Sequence, residues 1–131
     1  MIIKRAKGSK YKNKKVETEF GTFDSKKEHK RFLELQAMQD KSEISSLQRQ
    51  VKYELIPAQY ETTTKQLKTK TKEVQKLKEH AINYYADFQY VKNGETVVED
   101  VKASKFFMDG VYKIKKKLML YVHGITINEI F

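Results

Sequence analysis

Apolar and polar positions alternate along this chain in two periods. Most stretches repeat every second residue, as half-buried strands do, and two repeat at helical spacing. Residues 1–15 show neither period and read as a basic, mobile arm that orders on a partner. Val16–Phe20 and Thr22–Phe23, separated by Gly21, predict a short hairpin or extended lead-in. From Phe23 to Met38 the pattern is helical, with Asp24 or Ser25 as N-cap and Glu28 near the capping-box position. Phe32, Leu35 and Met38, joined by Leu33, form its inward stripe, and Glu28 falls on the stripe's edge. Val51, Tyr53 and Leu55 alternate with Lys52 and Glu54 in a strand over 50–57 that Pro57 either ends or marks as an edge. Residues 61–80 fit two patterns. Leu67, Val74, Leu77 and Ala81 suit a helix face, whereas Lys68, Lys70 and Lys72 alternate with Thr69 and Thr71; the favoured reading is a Lys/Thr-rich insertion with a helical second half.

The second half of the chain has a clearer period. Ile82, Tyr84, Ala86, Phe88 and Tyr90 share one strand face and Asp87 lies on the other; Asn93-Gly94 then predicts a tight hairpin into Thr96–Ala103. On that next strand Asp100 and Lys102 share a face, opposite Val97, Glu99 and Val101. Glu99 is therefore expected to be a supporting or exposed acid. Val111, Ile114, Leu118 and Tyr121 predict a helix over about 107–122, stopped at His123-Gly124, and Ile125–Ile130 closes with a strand. The expected order is helix, strand, strand, strand, helix, strand, a mixed α/β (α+β) domain around one sheet.

Composition narrows the chemistry. The 131 residues suffice for one domain, and 27 Lys+Arg against 17 Asp+Glu give a net charge of +10. Zero Cys excludes disulfides, thiolate nucleophiles and cysteine-held zinc, and His29, His80 and His123 are too scattered for a histidine site. Any metal is expected to be oxygen-bound Mg²⁺, with Mn²⁺ able to substitute. No apolar run is long enough to cross a bilayer and no secretory h-region opens the chain, so the expectation is a cytoplasmic protein without a membrane partner. The positive charge is clustered: seven basic residues in 1–15 without an acid, six Lys in 65–78 opposed by Glu73 alone, and six Lys in 102–117 opposed by Asp109 alone. Such clusters point to phosphate contacts with nucleic acid, through Lys10, Lys12, Lys14, Lys15, Lys68, Lys70, Lys72, Lys105, Lys113, Lys116 and Lys117.

Glu28, Asp87, Asp100 and Lys102 form the candidate reactive set. Each also has a structural reading: Glu28 as a helix cap, Asp87 as a structural acid, and Asp100 with Lys102 as a plain surface ion pair. The blocks Phe23-Asp-Ser-Lys-Lys-Glu28, Tyr53-Glu-Leu-Ile-Pro57, Tyr85-Ala-Asp-Phe88 and Val98-Glu-Asp-Val-Lys102, followed by a Lys/Leu-rich helix, occur in this order over nearly the whole chain. Together they resemble small phage-encoded proteins of the PD-(D/E)xK nuclease superfamily, of the Holliday-junction-resolvase-like kind. Ala103-Ser104, where many relatives have Gly, and the insertion at 61–80 depart from that pattern.

The resemblance implies a restriction-endonuclease-like αβββαβ core spanning 16–131. It implies a Mg²⁺-dependent DNA endonuclease acting on branched recombination DNA as a homodimer, in a bacterial host's cytoplasm if phage-encoded. Asp87 and Asp100 would be metal ligands, joined by the Val101 carbonyl and by Glu28 directly or through water, with Lys102 orienting the attacking water. The alternative is a non-catalytic nucleic-acid-binding or regulatory module on the same fold. A sequence-specific restriction-type enzyme is a weaker reading, because the chain leaves little material for reading bases.

Overall fold

The computed structural model describes residues 14–131; the expected arm at 1–15 lies almost wholly outside them, as do Lys10 and Lys12. The described chain is one small domain of mixed α and β structure, mostly sheet. Its elements are β1 (Val16–Thr18), β2 (Gly21–Phe23), α1 (Lys26–Asp40), β3 (Ser45–Ile56), β4 (Gln59–Gln66), β5 (Thr71–Glu79), β6 (Ile82–Lys92), β7 (Glu95–Val101), α2 (Gly110–His123) and β8 (Asn128–Ile130). The central sheet runs β3-β6-β7-β8, antiparallel except for the β7–β8 pair. Two apolar clusters flank it. One joins Phe32 and Leu35 of α1 to Phe23, Ile44, Phe88 and Tyr90; the other joins Tyr112 and Met119 of α2 to Leu55, Tyr84, Ala86, Val98 and Ile127.

Local chemistry explains the element ends. Ser25 is the N-cap of α1, its Oγ accepting from the Glu28 N–H at 3.1 Å, while Glu28 Oε2 accepts from the Asp24 N–H at 3.2 Å. Asn93 and Gly94 take φ of 52° and 77°, the paired left-handed conformation of a type I′ hairpin turn. The β1–β2 hairpin turns at Glu19-Phe20, and Gly21, the first residue of β2, takes φ 111°, where a Cβ would sit 3.1 Å from the Arg49 guanidinium. That guanidinium lies over the Phe23 ring and donates to the carbonyls of Phe20 and Thr22, fastening the hairpin to the sheet.

β3 begins at Ser45 instead of 50 and β8 at Asn128 instead of 125, and three other elements differ more deeply from the sequence expectation. Residues 61–80 contain no helix: β4 and β5 form an antiparallel ribbon turned at about Leu67–Lys70, where the Leu67 N–H donates to the Lys70 carbonyl. Thr62, Thr63, Thr64 and Thr71 favour this extended form, and the apolar residues are too sparse to hold a helix face down. All its residues are exposed except Leu67 in the turn and Val74, which are half-buried. In this register Lys65 stands directly opposite Lys72.

The second difference lies in β6. Strict alternation would put Tyr84, Ala86, Phe88 and Tyr90 on one face, yet the first two pack with α2 and the last two with α1. The strand changes sides at Asp87. Its neighbour β3 changes sides opposite, between Arg49 (paired with Phe88, stacked on Phe23) and Val51 (paired with Ala86, in the α2 cluster). The residue between them, Gln50, has φ 49°, a left-handed conformation unusual for a side-chain-bearing residue in a strand.

The third is α2, which begins at Gly110 behind an Asp109 cap instead of at 107. Its buried residues are Tyr112 and Met119; of the spacing that identified the helix, Val111, Ile114 and Tyr121 are 57%, 60% and 88% exposed.

Candidate functional site

The side change in β6 builds the site. Beyond Phe88, paired with Glu99, the ladder between β6 and β7 stops, and Asp87 sits where the two strands part. Its Oδ2 accepts from the Val101 N–H at 2.8 Å, so a carboxylate takes the place of the next ladder carbonyl. Continuing the register from the Phe88–Glu99 pair puts Asp87 opposite Asp100, as the hairpin reading expected. Asp100 is almost fully buried. Its Oδ2 accepts from the Tyr84 hydroxyl at 2.5 Å, and its Oδ1 lies 2.9 Å from Lys102 Nζ. The ammonium of Lys102 also sits 3.3 Å from the centroid of the Tyr112 ring.

Glu28 reaches the same place from α1. Buried to 3% exposure, it uses Oε2 at the helix start and turns Oε1 toward Gln50, whose Nε2 donates to Glu28 at 3.2 Å and to Asp87 Oδ1 at 3.3 Å. One amide therefore ties the two carboxylates together. Arg49 is 4.0 Å from Glu28. The structural readings of these residues are also visible: Glu28 does help cap α1, and Asp100 with Lys102 is an ion pair. All four expected residues, Glu28, Asp87, Asp100 and Lys102, come together around the end of the β6–β7 pairing.

Electrostatics mark the place as unbalanced. Burial, then the charges of Asp100 and Glu28, push Asp87 up to about 7, against the opposing bond from Val101 and the charge of Lys102. Burial and the neighbouring Asp24 raise Glu28 as well. Tyr84 is raised by burial and by Asp100, so it stays a neutral donor. Every candidate donor is oxygen, which suits a hard divalent cation. Among the described residues, no three His, Cys, Asp or Glu side chains stand close enough to form a ready cage. The acids present could contribute two or three ligands, with backbone and water completing the shell.

Sequence reasoning missed several members. Gln50 gives no pattern signal, because its role depends on a backbone conformation. Glu99, allowed as an exposed acid, is instead fully buried: Arg31 donates to both its oxygens at 2.8 and 2.7 Å, and Tyr90 to one at 2.5 Å. It locks β7 to α1 from the face opposite Asp100, the supporting role. Glu129 of β8, in register with Asp100, accepts from Tyr112 at 2.9 Å and Lys116 at 2.7 Å. Burial raises its pKa, but those two bonds outweigh it and the net shift is downward.

The expected phosphate contacts divide. Lys14, Lys15, Lys68, Lys70, Lys72, Lys105, Lys113 and Lys117 are exposed, whereas Lys116 is held by Glu129. Lys113 and Lys117 rim a groove of about 370 Å³ floored by Met108, Leu120 and Ile127, which reaches Glu129. No helix among the described residues is long and apolar enough to cross a membrane.

Comparison with known proteins gives a family and no activity. Residues 8–126 match the family described as "Protein of unknown function (DUF1064)", and the chain belongs to it. No curated protein and no solved structure matches this chain.

Proposed function

We propose that this chain is a divalent-metal-dependent DNA endonuclease of the PD-(D/E)xK type, with α1, β3, β6, β7, α2 and β8 as a restriction-endonuclease-like core. The observation that carries the reading is Asp87 at the parting of β6 and β7, bonded to the Val101 N–H, with Asp100 across from it and Lys102 bonded to Asp100. An acid raised to about 7 by burial and by two neighbouring carboxylates is costly to keep in a fold without a use for it. Asp87, Asp100 and the Val101 carbonyl would hold Mg²⁺ or Mn²⁺, with Glu28 joining directly or through water. A bound ion would neutralise charge on the phosphate and make water more acidic.

The remaining work belongs to side chains. Gln50 and the Val101 N–H fix the orientation of Asp87, and Tyr84 fixes that of Asp100. Lys102, held between Asp100 and the Tyr112 ring, presents an ammonium to the attacking water and to the scissile phosphate. The exposed lysines of the β4–β5 ribbon and of α2 supply sequence-independent contacts to the DNA backbone. Branched recombination DNA, cut symmetrically by a homodimer in a bacterial cytoplasm, is the substrate and setting in which such a small basic enzyme fits.

A second reading is a non-catalytic DNA-binding module, favoured by the absence of a ready three-acid cage among the described residues. Labelled four-way junction, duplex and single-stranded DNA, incubated with Mg²⁺ or Mn²⁺, separate the two. Cleavage by wild type, lost in Asp87→Ala and in Lys102→Met while DNA binding persists, supports the enzyme. Salt-sensitive binding without cleavage of any substrate, indifferent to metal and to Asp100→Asn, supports the module.

A further inference from the structure

The segment between β7 and α2 leaves the candidate site at Lys102 and carries Lys105-Phe106-Phe107 before it reaches Asp109 and the start of α2. Phe106 is 89% exposed and Phe107 79%, whereas no other of the seven phenylalanines is more than half exposed. Among the described residues neither ring stacks on another aromatic side chain or lies under a cation. Phe20 and Phe131, the next most exposed, have the Phe32 ring and the Lys105 ammonium against them. The segment is nonetheless tied down. The Lys102 N–H donates to the Ile130 carbonyl at 2.7 Å, the Phe106 N–H to Ser104 Oγ at 3.1 Å, and the Val111 N–H to the Asp109 cap at 3.3 Å. Met108, directly after the pair, packs on the α2 core cluster. An anchored backbone thus holds two adjacent rings out in water.

We infer that Phe106 and Phe107 form a base-stacking element that selects DNA with unpaired bases close to the phosphate at Lys102; the inference rests on the proposed DNA-cleaving function and specifies which DNA it takes. Charge identifies the occupant. Lys102 and Lys105 share the segment with the rings, Lys113 and Lys117 follow on α2, and Asp109 is the one acid from 102 to 117. A protein matched to this surface must bring both carboxylates and an apolar patch. A nucleic-acid strand brings phosphates and flat π faces in regular alternation, and aromatic rings beside a cationic track are what binds it.

Stacking also supplies selectivity. In continuous duplex each base is covered on both faces by its neighbours, so a ring must first unstack them. At a branch point, a flap or a single-stranded stretch a face is already open, and every base offers one whatever its identity. Phe106 is four residues from Lys102, so its Cα is at most about 14 Å away along the chain. At about 3.4 Å per stacked nucleotide, the base it takes lies within roughly five nucleotides of the phosphate that Lys102 faces. The rings carry no charge, so they add affinity without adding to the salt dependence that the lysines set.

The test is DNA binding by the intact protein in EDTA, where no cleavage is needed, to a labelled single strand, a four-way junction carrying a single-stranded flap, and a continuous duplex. Replacing both residues, Phe106→Ala with Phe107→Ala, should weaken binding to the first two at least fivefold, the low end of what one aromatic–base stack contributes. Duplex binding should stay within about twofold, and the salt slope and circular dichroism should not change, because both side chains are already in water. The chain has no Trp, so Phe106→Trp introduces a single reporter: its fluorescence should be quenched by the single strand and the flapped junction and spared by duplex, with wild-type affinity retained. Equal losses on all three DNAs, no loss on any, no binding to DNA, or a Trp indifferent to saturating single strand would overturn the proposal. Its fate is separable from that of the nuclease reading. Cleavage with Mg²⁺ whose substrate preference is unmoved by the double substitution would refute stacking and leave the enzyme standing, whereas selective binding without cleavage would do the reverse.

Discussion

Replacing Asp87 by Asn should stabilise the metal-free protein while removing the proposed activity. Asn keeps the shape and can still accept from the Val101 N–H, giving up only the weaker bond that Asp87 Oδ1 accepts from Gln50. It removes the charge that burial, Asp100 and Glu28 all oppose. In the folded state burial, Asp100 and Glu28 push Asp87 up to about 7, from an ordinary aspartate value of 3.8. A raised folded pKa means that folding takes up a proton. The contribution to stability is complete below about pH 4 and is lost as pH rises through about 7. At 1.36 kcal/mol for each tenfold in proton affinity, the rise to about 7 sets a ceiling of roughly 4 kcal/mol. Because part of the shift is shared with Asp100 and Glu28, about 2 kcal/mol is the expected loss due to Asp87 alone.

The assay is thermal and urea unfolding of wild type and Asp87→Asn in excess EDTA, from about pH 5 to pH 8.5. Wild type should lose stability relative to the variant across that range, and at the alkaline end Asp87→Asn should melt roughly 5–10 °C higher. Adding Mg²⁺ should then raise the melting temperature of wild type and leave the variant unmoved. Equal stability of the two proteins at alkaline pH, or parallel pH profiles, would refute the claim that carboxylates crowd one another at this point.

Other substitutions probe separate parts of the argument. Glu99→Gln strips the counter-charge from Arg31 inside the α1–β7 contact and should cost about 3–5 kcal/mol; the milder Tyr90→Phe, losing one hydrogen bond to the same carboxylate, should cost about 1–2 kcal/mol in urea unfolding. Gln50→Gly relieves the left-handed backbone at φ 49° but removes the amide between Glu28 and Asp87, so it should match or exceed wild-type stability by up to about 1 kcal/mol while cleavage falls at least tenfold. Lys72→Glu converts the Lys65–Lys72 cross-strand repulsion into attraction, steadying the ribbon by about 0.2–1 kcal/mol, yet should weaken duplex DNA binding and flatten its salt dependence by about one to two counterions.

Local patterns foretold much of the chain. Ser25 with Glu28, the Asn93-Gly94 turn and the alternation through β7 are each decided by neighbouring residues, and each appears in the structure. The four candidate residues were legible for the same reason, since a strand, a two-residue turn and a second strand fix the register that sets Asp87 against Asp100. What escaped was non-local. Strict period two cannot reveal a strand that changes sides, so the alternation groups Phe88 and Tyr90 with Tyr84 and Ala86, although Phe23, Phe32 and Leu35 claim them. The spacing of α2 marked a helix but not its buried face, because the stripe at 111, 114, 118 and 121 is more regular than the pair Tyr112 and Met119 that is buried. Glu99 read as a possible surface acid because its partner, Arg31, stands 68 residues away in sequence.

The side change in β6 links fold to chemistry. A sheet between two helices needs apolar residues on both faces, and a strand of strict alternation serves both only by filling each with every second residue. By slipping once, β6 gives Tyr84 and Ala86 to the α2 side and Phe88 and Tyr90 to the α1 side, leaving Asp87 at the slip with neither core to fill. There the ladder to β7 ends, so a backbone N–H at Val101 is free for a carboxylate. The partner strand must slip at the same level, which accounts for the left-handed Gln50 and puts its amide between Asp87 and Glu28. A single irregularity therefore generates the free carboxylate, its backbone donor and its side-chain donor, and the apolar residues on either side of it hold the irregularity in place.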